Sequence, residues 1–222
     1  MKKFIFPTAY LLTLILIISA CSNKPKPEGG GVTEVDPTAT EIMDNNQDKK
    51  NTLIDQEGTF GVDILNSNVE WLGEKPTGTH YGDIKIKKGF VSTDKEGNIS
   101  KGKFVLDMNT INCTDLEGKK KKSIEGHLKD PDFFDTSKYP TASFVIEKVE
   151  KNTIKGILTI KGISHPIKFD YTKVSPLTYN AEIIVDRTLF DIKYKSKSIF
   201  PDLGDHFIND DFKITLNPIS FK

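Results

Sequence analysis

The chain reads as an all-β protein built from antiparallel strands, a sandwich or a barrel. Three observations carry that reading. From Phe60 onward, apolar residues recur with period two in short runs, the mark of half-buried strands with one apolar face. Turn residues separate the runs, as at Asp94–Asn98, Glu150–Asn152 and Gly162–Ser164. No segment of helical length with a period of 3.6 follows the first twenty residues, and strands at such regular spacing close into sandwiches or barrels.

The candidate strands are Gly61–Leu65, Asn68–Leu72, Tyr81–Val91, Gly102–Met108, Ala142–Val149, Thr153–Lys161, Ile167–Val174, Asn180–Asp186 and Asp211–Ser220. Phe104, Leu106 and Met108 alternate with Lys103, Val105 and Asp107. Ile154, Leu158 and Ile160 share a face with Gly156, and Phe144 and Ile146 share one with Lys148. The inward candidates are therefore Phe104, Leu106, Phe144, Ile146, Leu158, Ile160, Phe169, Ile183 and Val185. They either line a cavity or fill a dry interior; alternation alone does not choose.

The segment His127–Phe144 breaks the strand pattern. Asp130 before Pro131 is a helix-start signature, with room for one turn before Asp135, and Pro140 pushes Tyr139 into extended chain. Phe133, Phe134, Tyr139 and Phe144 fall close together here. A surface loop does not carry that much apolar area, so the segment is expected to plug one end of the β structure.

The N-terminus carries an address. Lys2 and Lys3 precede the uncharged apolar run Phe4–Ala20, which ends Ile-Ser-Ala-Cys at Cys21. This pattern is a secretory signal with the cleavage site of a bacterial lipoprotein. Residues 1–20 are then a signal peptide and Cys21 the acylated first residue, carrying palmitate-type chains. Several chains on one cysteine anchor firmly where a single chain is marginal. Residues 21–58, rich in Pro, Gly, Asn, Asp and Thr, cannot build a core and read as a tether with a reach of roughly 35 Å. Residues 59–222 form the domain.

Of the two cysteines, acylation of Cys21 leaves Cys113 without a partner. The 31 basic and 31 acidic residues balance, which excludes the basic footprint of a nucleic-acid binder. Lys119–Lys122 is the one dense basic run and reads as a solvated loop tip. The histidines His80, His127, His165 and His206 lack metal-site spacing among themselves and with Cys113, so no metal or cofactor is expected. There is no G-x-S-x-G elbow and no S-x-x-K, and no catalytic residue is assigned. Arg187, the only arginine in the sequence, is either the charge-assisted donor to a phosphorylated headgroup or half of a structural ion pair. Trp71, His80 and His127 stand at the expected barrel ends as further contact candidates, with Phe133 and Phe134 beside them.

The run His127–Phe144, HLKDPDFFD-x-x-x-YPTASF, resembles the signature of the YceI-like family. Trp71-x-Gly73-x-Lys75 with Gly78, His80 and Gly82 is similar to the opening motif of its Bacteroidetes-type members. Leu158–Phe169 resembles the family's central hairpin and Asp186–Tyr194 the closing segment. The resemblance implies an elongated eight-stranded lipocalin-like barrel with one or two short helical turns. It also implies a polyisoprenoid or related long-chain lipid as ligand, held for carriage or sequestration in the periplasm or at the cell surface. Two other readings stand beside it: a cavity-less barrel acting as an interaction or scaffold module, and a hydrolase built on the barrel rim.

Overall fold

A computed structural model describes residues 57–222; the signal, Cys21 and all but the end of the tether lie outside them. Nine strands form one antiparallel sheet: β1 (Gly58–Gly61), β2 (Val69–Lys75), β3 (Gly78–Thr93), β4 (Ile99–Cys113), β5 (Thr141–Glu150), β6 (Thr153–Ile160), β7 (Ile163–Ser175), β8 (Thr178–Asp186) and β9 (Asp211–Ser220). Neighbours in sequence pair from β2 to β9, and β2 pairs with β9 from Val69 opposite Leu216 to Gly73 opposite Phe212. The sheet therefore closes as an eight-stranded barrel, as the resemblance implied, and abolishes its edges. The extra strand is β1, laid on the far half of β3 from Gly58 opposite Thr93 to Gly61 opposite Phe90.

Eight of the nine candidate strands are present with shifted ends; the first, Gly61–Leu65, is not, and the strand there is Gly58–Gly61. The chain leaves the sheet after Gly61, and Ile64–Asn66 forms a 3₁₀ turn instead of strand, closed by Asn66 donating from its backbone and side chain to Asp63. The β6–β7 hairpin turns on Lys161 and Gly162, both at positive φ (51° and 73°), which is the two-residue turn whose twist matches the strands.

Lys148 does not share a face with Phe144 and Ile146. The pairing shifts between Ile146 opposite Gly156 and Lys148 opposite Lys155, so Glu147 is an inserted bulge residue. Beyond it Lys148 is exposed and Val149 packs against the core. The bulge places Lys148 2.6 Å from Glu150, which also meets Lys155 at 2.8 Å.

The sequence expectation missed one helix, α1 (Gly118–Lys129). It absorbs the lysine run expected as a loop tip. Its apolar inward residues are Ile124 and Leu128 alone. The rest of its contact with the barrel is polar: Glu125 Oε1 accepts from the Cys113 amide at 2.9 Å, and Lys121 donates to Asn112 Oδ1 at 2.6 Å and to the Cys113 carbonyl at 2.7 Å. A helix fixed by hydrogen bonds leaves little periodic apolar signal. Asp130 and Pro131 end this helix rather than start one. Asp130 is extended (ψ 161°), as a residue before proline prefers. A series of turns follows, with Phe133 and Asp135 donating to the Asp130 carbonyl and Tyr139 to that of Asp135.

The interior divides along the barrel axis. One end gathers α1, the turns after it and the chain from Arg187 to Asp210. Phe190 and Ile192 are fully buried there, and Phe133 packs edge-on to His127 and Phe134. The other end, with the turns after β3, β5 and β7, holds the cavity.

Candidate functional site

An apolar cavity of about 110 Å³ lies inside the barrel. Its wall comes from alternate inward residues of the strands. Ile86 and Val91 come from β3, Ile99, Phe104 and Leu106 from β4, Phe144 and Ile146 from β5, and Ile154 and Leu158 from β6. Ile167, Phe169 and Tyr171 come from β7 and Tyr179 and Ile183 from β8, with Leu216, Ile219 and Phe221 at the end of the chain. Phe144 and Phe169 meet with ring centroids 5.5 Å apart, and Phe104 stands edge-on to Phe221 at 6.1 Å. Gly156 belongs to this construction. A Cβ there would lie 2.2 Å from the Val145 carbonyl oxygen and 2.6 Å from the Phe144 ring, so the ring takes the space a side chain would need. The polar lining residues are Ser143, Tyr171, Tyr179 and Asn180. Burial pushes the phenols of both tyrosines up in pKa, that of Tyr179 with the other's help.

Of the expected contact residues, Phe104, Leu106, Phe144, Ile146, Leu158, Phe169 and Ile183 line the cavity. Ile160 and Val185 are buried next along the same strand faces, towards the plugged end, and do not line it. Phe133, Phe134 and His127 belong to the plug. Phe134 meets Phe212 edge-on, and His127 meets Tyr194 edge-on with centroids 4.3 Å apart. Trp71, opposite Gly82 and Ile214, packs against the core with its Nε1 buried and unpartnered.

Arg187 is 2% exposed, and its guanidinium does not face the cavity. It donates to three backbone carbonyls, those of Ile192 (2.7 Å), Ile208 (3.0 Å) and Asn209 (3.0 Å), and lies 3.6 Å from Asp210 and over the Phe133 ring. Its ion-pair neighbour is thus Asp210, while Asp186, beside it in sequence, accepts instead from Thr188. One rigid five-donor fork holds the long segment 187–210 together.

His80 marks a second polar junction. Its Nδ1 is 2.8 Å from Asp115, which also accepts from the Tyr81 amide (3.0 Å) and the Cys113 thiol (3.1 Å). Burial raises the Asp115 pKa, but these donors outweigh it and hold it at about 2. Cys113 is fully buried, and burial together with Asp115 pushes its thiol up, so it is a poor nucleophile.

Sequence reasoning missed the cavity residues at the strand ends. Tyr171 and Tyr179 continue the alternation of Phe169 and Ile183, and Ile219 and Phe221 lie past the shift at which β9 changes step with β8. It also missed a grouping of His127, Asp130 and Asp132, whose side-chain donor atoms lie within 4.8 Å of one another. Both carboxylates are exposed, and such groups gather without an ion, so the grouping assigns no metal.

Residues 35–218 match the YceI-like domain family. Protein YceI of Escherichia coli O17:K52:H18 is 30% identical over 121 residues, 53% of this chain and 58% of that protein. A UPF0312 protein of Pectobacterium atrosepticum is 28% identical over 134 residues, 56% of this chain and 65% of that one. The chain thus spans about six-tenths of the length of the curated relatives it matches. Among solved structures, BcnA of Burkholderia cenocepacia superposes with TM-score 0.56 at 19% identity, over 72% of this chain and 99% of that one. A polyisoprenoid binding domain from Saccharophagus degradans superposes with TM-score 0.50 at 11% identity, over 73% and 97%. These likenesses show the barrel fold, and the match over most of the sequence shows the lineage: the chain belongs to the YceI-like family.

Proposed function

We infer that the protein is an envelope lipoprotein whose barrel binds a polyisoprenoid or another long-chain apolar lipid, for carriage or sequestration. The observation that carries this reading is the cavity: a closed barrel of this size is filled by side chains or holds one slender ligand, and this one keeps about 110 Å³ free between apolar walls. Apolar cavities of about 150 Å³ stay dry and take up benzene-sized guests. The resting cavity therefore suits a short stretch of hydrocarbon, and a longer chain is admitted as the Phe104, Phe144 and Phe169 rings move aside. Each buried CH₂ contributes about 0.8 kcal/mol, so a ten-carbon stretch supplies about 8 kcal/mol before the cost of ordering it. The YceI-like relationship and the polyisoprenoid-binding neighbour support the ligand class. The void argues against the scaffold reading, which requires a solid interior. Cys21 anchors the chain, and no covalent step on the ligand is proposed.

Native mass spectrometry of protein purified without added lipid tests the ligand: an adduct with the mass of a long-chain lipid is expected. A clean apo mass, together with no uptake of a C15–C20 isoprenoid after delipidation, refutes the binding reading. Labelling with a clickable palmitate analogue tests the anchor. The label is expected on the chain and lost in Cys21→Ser; label that persists in that variant refutes acylation at Cys21.

A further inference from the structure

We propose that hydrocarbon enters and leaves the cavity sideways, through the seam between β7 and β8, and not along the barrel axis. This rests on the lipid-binding reading and locates the entrance to that site. Strand β7 pairs with β6 throughout residues 163–170, and β8 pairs with β9 from Thr178 opposite Ser220 to Asp186 opposite Asp211. With each other, β7 and β8 pair only near their turn, from Ser175 opposite Thr178 to Tyr171 opposite Ala181. Among the described residues no backbone hydrogen bond joins the two strands beyond that point. Towards the plugged end His165 meets Phe190 edge-on, with centroids 5.3 Å apart, and this contact bounds the seam. At about 3.3 Å per residue, residues 166–170 leave a slot roughly 16 Å long.

The sequence suits an open edge here. The Tyr171 amide donates to the Asn152 carbonyl at 2.8 Å, so odd-numbered residues of β7 turn their backbone groups to β6 and even-numbered ones to the seam. The missing N–H of Pro166 therefore falls on the seam. Inside a closed ladder a proline removes a hydrogen bond, whereas on an open edge it removes none. Burial agrees. His165 alternates with the inward residues Ile167 and Phe169 but does not line the cavity, and it is half-buried. Its β6 partner Leu158 is 6% exposed, and Val185 on β8 is 2% exposed.

The seam is apolar from outside to inside. On the outer surface Pro166 and Ile184 are exposed. Behind them Ile167, Phe169 and Tyr171 of β7 and Ala181 and Ile183 of β8 line the cavity. The axial routes are closed. The plug fills one end. At the other, Tyr179 stands edge-on to Tyr171 at 5.6 Å and to Phe221 at 6.0 Å, and Ile219 and Phe221 are 5% and 8% exposed. The Phe221 amide donates to the Leu177 carbonyl at 2.9 Å, and Phe221 pairs with Val62. Entry past that cap parts packed rings and breaks backbone hydrogen bonds, each left unmade at a cost. Entry through the seam breaks none.

The test follows uptake and release of the slim hydrocarbon diphenylhexatriene by stopped-flow fluorescence, in the delipidated Cys21→Ser chain. Lys168→Cys and Ile184→Cys, both exposed positions, are bridged across the seam with a reducible bis-methanethiosulfonate; Cys113 is fully buried and leaves the reagent to the introduced pair. The bridge is expected to slow both rates about tenfold or more, to change the equilibrium affinity far less, and to lose its effect on reduction. Ile184→Asp, which sets a charge on the lip, should slow both rates about three- to tenfold at an unchanged melting temperature. Rates untouched by the bridge or by Ile184→Asp overturn the proposal, as does an affinity lost at an unchanged association rate. Those outcomes leave lipid binding standing. A parent that takes up neither diphenylhexatriene nor geranylgeraniol refutes the lipid-binding reading itself.

Discussion

The two ends of the barrel use the same strands in opposite ways. At the plugged end aromatic rings interlock, Phe190 and Ile192 have no exposure, and Arg187 ties three carbonyls from a segment without regular strand. At the cavity end the inner faces are as apolar, but their contacts leave about 110 Å³ unfilled. One end is sealed, and the free volume collects at the other. The difference also predicts where substitution hurts.

The largest loss is expected from Arg187→Met. It removes the donor to three carbonyls and the cation beside Asp210, and removal of one partner from such a network costs about 3–5 kcal/mol. Arg187→Lys should recover little of it, since one ammonium cannot reproduce the fork. Urea denaturation checks both; a lysine variant as stable as the parent would show that charge alone suffices. Next come matched truncations in the two halves. Phe190→Ala should cost about 3–5 kcal/mol, whereas Leu158→Ala, beside existing free volume, should cost about 2 kcal/mol and increase the size of hydrocarbon taken up. Equal losses at the two sites would erase the distinction between the ends. Gly156→Ala follows, at about 1–3 kcal/mol from overpacking, because its Cβ would lie 2.2 Å from the Val145 carbonyl oxygen; an unshifted denaturation midpoint would contradict that crowding.

The last effect is acidic and appears only at low pH. The Asp115 carboxyl is held at about 2, below its usual 3.8. Its contribution is complete above the unfolded value and fades as pH falls through the folded one. The shift is worth about 2 kcal/mol. Asp115→Asn should therefore flatten the stability profile between about pH 4 and 2; a profile as steep as the parent's would place the acid sensitivity elsewhere.

Much of this was legible in the sequence because strand alternation is local. Phe104 with Leu106 and Leu158 with Ile160 declare their faces to any reader of period two. The bulge at Glu147 is not local: it needs the register of β6, so Lys148 was placed on the wrong face. Helix α1 was hidden because it docks through Lys121 and Glu125, residues that read as solvent-facing. The Asp-Pro pair at 130–131 signals a boundary of either sense, and only the preceding helix decides which. Among the site residues, the apolar wall followed from the pattern. Ile219 and Phe221 lie past the step between β8 and β9, which one chain of letters does not record.

The bare backbone at Gly156 has a consequence for how this family can diversify. The ring of Phe144 rests where a side chain would stand, so the width of the cavity is set in part from a position that carries no side chain. A single methyl added there would crowd the ring at 2.6 Å and the Val145 carbonyl oxygen at 2.2 Å, so one of them has to shift. The shape of the cavity can thus change from a position that does not itself line it.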